Sequence, residues 1–216
     1  MNPAFRAVFW DFGGVITSSP FEAFRRFEAE RGLPRDFLRD TNAVNPEHNA
    51  WARLELNDVA LDAFDALFLA ETTARGHPVR GRDVLPLLAT RVRPYMVEVL
   101  GKVKAAGYRV ACLTNNAATG LGPGMSLDAD TAGEIAAAMA LFEFVLESSK
   151  AGVRKPEPRF YAIACERMGV APEQVVYLDD LGINLKPART MGMHTIKVAD
   201  PRVAIAELAA VLDLPL

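Results

Sequence analysis

Residues 7–15, AVFWDFGGV, are the stretch from which the fold class of this chain follows. An apolar run that ends in an acid and two glycines is typical of a buried parallel strand with a carboxylate, here Asp11, at its carboxyl end. In open α/β sheets ligands bind at these strand ends. Gly13 and Gly14 allow the chain to turn sharply and a ligand to approach the backbone. The stretch therefore predicts that Asp11 lies in a ligand site.

The composition narrows the class of protein. Half of the 216 residues are hydrophobic and the net charge is -3, so there is no basic field to attract nucleic acid or an anionic membrane. The apolar runs are far shorter than the roughly 20 residues of a membrane span, and Asp11 interrupts any secretion-signal pattern. Cys112 and Cys165 lie in apolar patterns and are predicted to be buried thiols without a disulfide. We expect a cytoplasmic protein, a monomer or homodimer, that binds neither nucleic acid nor membrane.

Strand and helix patterns alternate along most of the chain. Apolar segments predict strands at residues 6–11, 110–113, 142–146, 175–178 and 195–198. Helical patterns lie between them, which predicts a parallel sheet with helices on both faces. Residues 17–92 carry helical patterns alone, and residues 117–131 predict a loop. We therefore predict an α/β fold, a Rossmann-like parallel sheet core (residues 1–16 and 93–216, the core segments) with an inserted helical cap (residues 17–92, the cap segment).

Polar residues follow the later predicted strands. Thr114 and Asn115 offer a hydroxyl, an amide and backbone N–H groups, which suit an anion such as phosphate, although a plain polar turn has the same pattern. Lys155 precedes a proline-led helix start, where its ammonium can neutralise a carboxylate or a phosphoryl group. Asp179 and Asp180 end a buried strand, and adjacent buried acids require a cation or hydrogen bonds. Oxygen ligands of this kind favour Mg²⁺.

These segments together resemble the haloacid dehalogenase superfamily of phosphohydrolases. The order of Asp11, Thr114, Lys155 before a proline, and the pair Asp179-Asp180 is the order of that family's motifs, and the cap segment lies where the family carries its helical cap. Residues 153–158 and 177–189 are similar to the N-terminal phosphatase domain of soluble epoxide hydrolases. The α/β-hydrolase domain of those enzymes is absent from this sequence, so we expect no epoxide hydrolysis.

The resemblance implies a mechanism and a metal. Asp11 is expected to attack phosphorus and to form an aspartyl-phosphate that water hydrolyses. Mg²⁺ is expected to bind Asp11, the backbone carbonyl of Gly13, and Asp180. Asp179 and Asn184 are expected to be auxiliary, outer ligands.

The resemblance also implies how the substrate is held. Thr114, Asn115 and Lys155 are expected to bind the phosphoryl group, and Lys155 is expected to be catalytic because it offsets the negative charge of Asp11 and of the phosphoryl group. The expected substrate and partner is a small organic phosphate, and the expected activity is phosphomonoester hydrolysis. The sequence does not identify the physiological substrate.

The pattern departs from the family at Gly13. Most phosphatases of the superfamily carry a second Asp there, which protonates the leaving oxygen and later activates water. Three explanations stay open: the substrate has a good leaving group, such as an anomeric or acyl phosphate; a residue of the cap segment supplies the proton; or the protein is a weak enzyme that mainly binds. His48 and His77 are the candidate donors in the cap segment, whereas His194 is predicted to be structural.

Two alternative functions stay open. The dehalogenases of the family also lack the second Asp and work without metal, but the pair Asp179-Asp180 would repel the carboxylate of a haloacid. A non-catalytic phosphate-binding or regulatory protein would carry the same motifs. Dependence on Mg²⁺ separates phosphatase from dehalogenase, and binding without turnover would identify the regulatory protein.

Overall fold

The computed structural model of the protein describes residues 4–117 and 129–216. These residues form a five-stranded parallel sheet in the order β3-β2-β1-β4-β5. Its strands are β1 (Ala7–Trp10), β2 (Arg109–Thr114), β3 (Phe144–Glu147), β4 (Val175–Asp179) and β5 (His194–Lys197). Each predicted strand overlaps an observed one, and the predicted α/β fold with a parallel sheet is confirmed.

Six α-helices of the described residues belong to the predicted core segments. They are α6 (Pro94–Ala105), α7 (Ala129–Met139), α8 (Ser148–Ala151), α9 (Pro158–Met168), α10 (Gly182–Thr190) and α11 (Pro201–Leu212). The predicted loop at 117–131 is partly wrong, because residues 129–131 already form the first turn of α7, where Asp130 is favourably placed for the helix dipole. Residues 118–128 of that loop lie outside the described residues.

Both faces of the sheet are covered by helices, which explains why its strands read as continuous apolar runs. Val8 and Trp10 of β1 face a cluster that includes residues of α6 and α11. Ala7 and Phe9 face the opposite cluster, which includes Phe160 of α9. All of β1 is buried. The centre of the sheet is therefore a rigid platform for Asp11, the residue that follows β1.

The cap segment contains five α-helices, α1 (Pro20–Glu30), α2 (Phe37–Asn42), α3 (Ala50–Glu55), α4 (Leu61–Ala74) and α5 (Gly81–Val84). They enclose an aromatic cluster in which the ring of Trp51 packs edge-on against Phe64, with centroids 5.0 Å apart. The two connections between the cap segment and the core segments run next to each other, since the Ser18 N–H donates to the Arg91 carbonyl at 2.8 Å. The division into core and cap domains stays a prediction.

Two expectations about the chain as a whole can be compared with the described residues. None of their helices combines the length and the apolar character that crossing a membrane requires. Cys112 and Cys165 are both buried and free, as predicted. Burial raises the pKa of the Cys112 thiol well above its usual value, so this thiol is held in its neutral form.

Candidate active site

The site begins where β1 and β4 end side by side at the centre of the sheet. Trp10 pairs with Leu178, and the Asp11 N–H donates to the Leu178 carbonyl at 2.8 Å. The next residues of the two strands, Asp11 and Asp179, are therefore neighbours. The position between β1 and β4 is also where the strand order changes direction, which is the usual ligand site of such sheets.

Asp11 is 7% exposed and its carboxylate is held through one oxygen. Oδ1 accepts the Phe12 N–H at 2.7 Å and lies 2.8 Å from the Lys155 ammonium. Burial raises the pKa of Asp11 well above its usual value; Lys155 opposes this rise, and the nearby carboxylates of Asp179 and Asp180 add to it. Additional positive charge beside this buried carboxylate would favour its ionised form.

Lys155 connects two strands of the site through its ammonium. The side chain is 2% exposed, and Nζ lies 2.8 Å from Asp11 Oδ1 and 2.9 Å from Asp179 Oδ2. Burial by itself disfavours the ammonium, but the two carboxylates outweigh burial and raise the pKa of Lys155. Lys155 is therefore a permanently charged group at the centre of the cluster.

The carboxylate of Asp179 is fully buried and is surrounded by donors. Oδ1 accepts the Leu181 N–H at 2.8 Å, Oδ2 accepts from Lys155 and from the Tyr177 hydroxyl, and the Asn184 amide donates to both oxygens at 3.1 Å. The structure thus brings the predicted auxiliary residues Asp179 and Asn184 together. Because its oxygens are committed to these donors, Asp179 is held in one position beside Lys155.

Asp180 faces the turn that follows Asp11. Gly14 has φ 79°, and a Cβ at this position would lie 2.2 Å from Asp180 Oδ2, so only glycine fits there. The Arg93 guanidinium donates to the Gly14 carbonyl at 2.6 Å and fixes the turn from the other side. Burial and then the charge of Asp179 raise the pKa of Asp180 to about 6.

The three carboxylates form a set of donors that fits a divalent cation. Asp11, Asp179 and Asp180 each offer an oxygen within 4.8 Å of the others. Burial, and after it the neighbouring carboxylates, raise the pKa values of Asp11 and Asp180 in spite of Lys155. An all-oxygen set is the type that Mg²⁺ prefers. Since Asp179 is saturated with donors, Asp11 and Asp180 are the carboxylates left for a metal, and the carbonyl of Gly13 stays a predicted ligand.

The predicted phosphate-binding residues at the end of β2 lie next to this cluster. Thr114 is 6% exposed and lines the same cavity as Asp11. The side-chain amide of Asn115 is used in another way: Oδ1 accepts the Lys155 N–H at 2.9 Å, and Nδ2 donates to the Lys155 carbonyl at 3.0 Å and to Glu55 at 3.1 Å. Asn115 therefore fixes the backbone of Lys155, and its predicted contact with phosphate stays a prediction.

A charged contact between the cap and core segments was not predicted. Glu55 at the end of α3 accepts from Arg154 Nε at 2.7 Å, and the Ser148 hydroxyl donates to the Glu55 carbonyl at 2.7 Å. Arg154 also donates to the Pro46 carbonyl at 2.9 Å. The Arg154 side chain is only 17% exposed and so lies between the two segments. A lone arginine before Lys155 carries no signal of its partner 99 residues away.

A cavity of about 1470 Å³ separates the carboxyl edge of the sheet from the cap segment. Asp11, Thr114, Lys155 and Asp180 line it from below, and residues of the cap segment line it from above, among them Phe21, Phe24, Trp51, Arg53 and Glu55.

The three histidines occupy different places relative to this cavity. His48 lines it. In the part of the chain that the structure describes, His77 is absent from the lining and instead packs against the Phe37 ring at 5.2 Å. His194 starts β5, and its ring packs against Phe5 at 5.8 Å. Its place in the sheet agrees with the structural role predicted for His194.

Comparison with known proteins identifies relatives along nearly the whole chain. The model of the family described as haloacid dehalogenase-like hydrolase matches residues 5–192. The chain is 30% identical over 99% of its length to mouse "Acyl-CoA dehydrogenase family member 10" and 30% identical over 96% to mouse "Bifunctional epoxide hydrolase 2". It spans only 20% and 39% of those proteins. It is also 30% identical to "Phosphatase MT3486" of Mycobacterium tuberculosis, over 89% of the chain and 86% of that protein.

Solved structures share the fold at low sequence identity. A HAD-like family hydrolase from Porphyromonas gingivalis is 19% identical with a TM-score of 0.67, covering 98% of this chain and 100% of that one. A HAD family enzyme from Bacteroides thetaiotaomicron, in complex with magnesium and inorganic phosphate, is 18% identical with a TM-score of 0.58, covering 89% and 93%. L-2-haloacid dehalogenase from Xanthobacter autotrophicus, with chloropropionic acid covalently bound, is 18% identical with a TM-score of 0.59, covering 98% and 85%.

Proposed function

The chain belongs to the haloacid dehalogenase-like hydrolase family, and within that family we propose that it is a Mg²⁺-dependent phosphomonoester hydrolase that acts through an aspartyl-phosphate on Asp11. The observation that carries this proposal is the buried cluster at the end of β1 and β4, in which Lys155 lies 2.8 Å from Asp11 and 2.9 Å from Asp179 while Asp180 offers a further carboxylate. Such a cluster places one ammonium beside a buried nucleophilic carboxylate and leaves a further carboxylate for a metal ion.

In the first step a carboxylate oxygen of Asp11 attacks phosphorus, and the bond from phosphorus to the leaving oxygen breaks with both electrons on that oxygen. Because Phe12 and Lys155 hold Oδ1, we assign the attack to Oδ2. Mg²⁺, held by Asp11, Asp180 and the Gly13 carbonyl, would supply positive charge to the phosphoryl oxygens. Lys155 holds the nucleophile in place and offsets its charge, so that an anionic phosphate can approach.

In the second step water attacks the phosphorus of the aspartyl-phosphate, which releases inorganic phosphate and restores the Asp11 carboxylate. We propose that the Thr114 hydroxyl and the Asn115 backbone orient the phosphoryl oxygens in both steps. Asp179 and Asn184 position Lys155 through the hydrogen bonds described above. Positioning and charge neutralisation account for most of the catalysis of phosphoryl transfer.

We also propose that the cap segment is a mobile cap over this site. It forms the upper wall of the cavity, and its attachment through neighbouring segments at Ser18 and Arg91 is suited to a hinge. Closing such a cap would exclude water from the cluster and admit substrate only on opening.

The phosphatase is favoured over the dehalogenase by the charge of the site. Asp179 and Asp180 beside Asp11 would repel the carboxylate of a haloacid, whereas a phosphate bound together with a cation is compatible with them. The mycobacterial relative, to which the chain is similar over most of both proteins, is named a phosphatase. A dehalogenase is nevertheless among the structures that share the fold, so the experiment has to discriminate between the two activities.

The test is hydrolysis of 4-nitrophenyl phosphate by the wild type and by Asp11→Asn, in Mg²⁺ and in EDTA. We expect turnover that requires both Mg²⁺ and Asp11, because an aryl leaving group departs without protonation. The proposal is wrong if turnover is absent or is unchanged in Asp11→Asn. Binding of inorganic phosphate without turnover would identify the regulatory alternative, and halide release from 2-chloropropionate without metal would identify a dehalogenase.

A further inference from the structure

We propose that this site is selective for phosphates whose leaving group is a weak base, such as acyl and enol phosphates, because position 13 carries no acid and the proton-bearing side chains described around Asp11 are held by acceptors of the protein. The inference rests on the proposed function and specifies its substrate class. It is carried by the geometry at Gly13 and by the hydrogen bonds of the groups around Asp11.

Gly13 has no side chain, although the fold has room for one. A Cβ at Gly13 would have no atom within 4 Å, and the residue has φ -67° and ψ 128°, which any L-residue adopts. The adjacent Gly14 differs in both respects, since its φ is 79° and its Cβ would overlap Asp180. Neither backbone conformation nor packing therefore requires glycine at position 13, and the space beside Asp11 is open to the cavity that Gly13 lines.

The proton-bearing groups around Asp11 donate to acceptors of the protein itself. Lys155 Nζ lies between Asp11 and Asp179, and the Tyr177 hydroxyl donates to Asp179. The Tyr161 hydroxyl donates to the Asn184 carbonyl at 2.7 Å. Within the described residues of this cluster, these bonds commit both tyrosine hydroxyls and two of the three ammonium protons of Lys155 to acceptors of the protein.

Glu55 is the acidic residue of the cap segment that contacts Asn115, and its carboxylate is also occupied by hydrogen bonds. Glu55 accepts from Arg154 at 2.7 Å and from Asn115 at 3.1 Å, so its carboxylate is held by donors of the core segments. His48 lines the cavity but is exposed. Glu47 and Asp58 of the cap segment and Glu157 also line the cavity and are exposed. His48 is the side chain that the experiment tests, because histidine is the most frequent general acid in enzymes.

The chemistry makes this arrangement selective. When Asp11 displaces a carboxylate or an enolate, the leaving oxygen keeps the electron pair of the broken bond as a stable anion. When it displaces an alkoxide, that oxygen has to take a proton in the transition state, and the loss of a positioned acid typically lowers the rate about 10²–10⁴-fold. A glycine at position 13 also leaves the second step without a base there, so the aspartyl-phosphate is expected to persist longer than in a site with a carboxyl group at that position.

The experiment compares the wild type with Gly13→Asp and Gly13→Asn. The Asp variant adds a carboxyl group in the open space, and the Asn variant is its control of equal size without an acid. Each is assayed in Mg²⁺ with acetyl phosphate, 4-nitrophenyl phosphate, phenyl phosphate and glycerol 3-phosphate. Phosphorylated Asp11 is measured by mass spectrometry of the intact protein after rapid quenching.

We expect kcat/KM of the wild type to fall steeply as the leaving group becomes more basic. Gly13→Asp should raise the rate with glycerol 3-phosphate by about 10²–10⁴-fold and that with acetyl phosphate far less. Gly13→Asn, which adds a side chain of the same size without an acid, should show no such selective gain with glycerol 3-phosphate over acetyl phosphate. The wild type should also carry more phosphorylated Asp11 at steady state than Gly13→Asp does.

The inference is overturned if the wild type hydrolyses glycerol 3-phosphate as readily as acetyl phosphate, or if Gly13→Asp and Gly13→Asn behave alike. It is also overturned if His48→Gln selectively removes activity on the alkyl ester. If Gly13→Asp does not fold, the slope of the wild type across the four esters decides the question. Failure of 4-nitrophenyl phosphate turnover in the wild type would instead overturn the proposed function.

Discussion

At the scale of single residues, the adjacent Gly13 and Gly14 differ in how backbone conformation and packing constrain them. Gly14 is required by its left-handed φ of 79° and by the approach of Asp180. Gly13 is constrained by neither. A glycine that the backbone conformation does not require indicates a role at the ligand site. A glycine that the conformation requires indicates a role in the fold.

Gly14→Ala should therefore be destabilising and Gly13→Ala should not. The left-handed conformation costs a non-glycine residue about 1–2 kcal/mol, and the added methyl would also displace Asp180. Gly13→Ala should leave stability unchanged or raise it by about 0.4–1 kcal/mol, since its φ and ψ suit alanine. Urea unfolding of both variants measures the difference, and equal midpoints would contradict the geometry at Gly14.

Asp180 should make the metal-free protein less stable as pH rises. The unfolded pKa is near 3.8 and the folded pKa is about 6, so the folded state retains a proton that the unfolded state has lost between these values. The stabilising contribution is complete below pH 3.8 and is lost as pH rises through 6. In EDTA, Asp180→Asn should exceed the wild type in stability by on the order of 2 kcal/mol at pH 7 and should match it near pH 4.

The control for this pH dependence is Asp213→Asn, since Asp213 is an exposed residue with a left-handed φ of 53° that asparagine tolerates. Its unfolding free energy should follow that of the wild type at every pH. A stability difference between Asp180→Asn and the wild type that stays constant from pH 4 to pH 8 would show that the charge of Asp180 is not the cause.

At the scale of elements, the contact between α3 and the loop before α9 joins the two sides of the cavity. Glu55 ends α3 and binds both Arg154 and Asn115, and Asn115 in turn holds the backbone of Lys155. The position of the cap segment is thus coupled to the residues around the nucleophile by hydrogen bonds of partly buried charged groups.

Removing this contact should weaken closure of the proposed cap. Arg154→Gln and Glu55→Gln should each raise KM for 4-nitrophenyl phosphate a few-fold, since a partly buried, charged hydrogen bond contributes on the order of 1 kcal/mol. The double variant should lose little more than either single variant, because both remove the same interaction. Arg159→Gln is the matched control: its ion pair with Glu166 is more than half exposed on both sides and should contribute little. Additive effects of the first two substitutions would contradict the coupling.

At the scale of the whole molecule, burying three neighbouring carboxylates lowers the free energy of unfolding. A cation bound between them should raise it. Mg²⁺ at about 100 times its Kd would add about 2.7 kcal/mol to the free energy of unfolding. For a chain of this size that corresponds to a rise in Tm of about 5–10 °C.

The rise in Tm caused by Mg²⁺ should be larger at pH 8 than at pH 5, because a metal ion binds ionised carboxylates. The pKa values of Asp11 and Asp180 are raised, so these groups ionise at higher pH than ordinary carboxyl groups. Differential scanning fluorimetry with Mg²⁺ and with EDTA measures it. Asp180→Asn should abolish most of the response, whereas Asp213→Asn should retain it. An equal response in Asp180→Asn would exclude Asp180 as a ligand.

Much of this organisation could be predicted because it is local in the sequence. Each short apolar run became a strand, and the polar residues at the ends of β1, β2 and β4 were expected at one edge because parallel strands end together. That is why the sequence alone allows Asp11, Thr114 and Asp179 to be grouped in one site. The start of α7 could not be predicted from the sequence, because an Ala-rich segment with Gly and Asp suits both a loop and a helix.

By itself, then, the sequence determined the α/β fold, the order of its strands along the chain and the edge at which the site lies, since periodicity and strand ends are properties of neighbouring residues. Tertiary structure alone decided the partners: Arg154 with Glu55, Tyr177 with Asp179, and Asn115 with the backbone of Lys155. An arginine or an asparagine has the same local pattern whether it is solvated or bound, and only the packing of distant segments selects between the two.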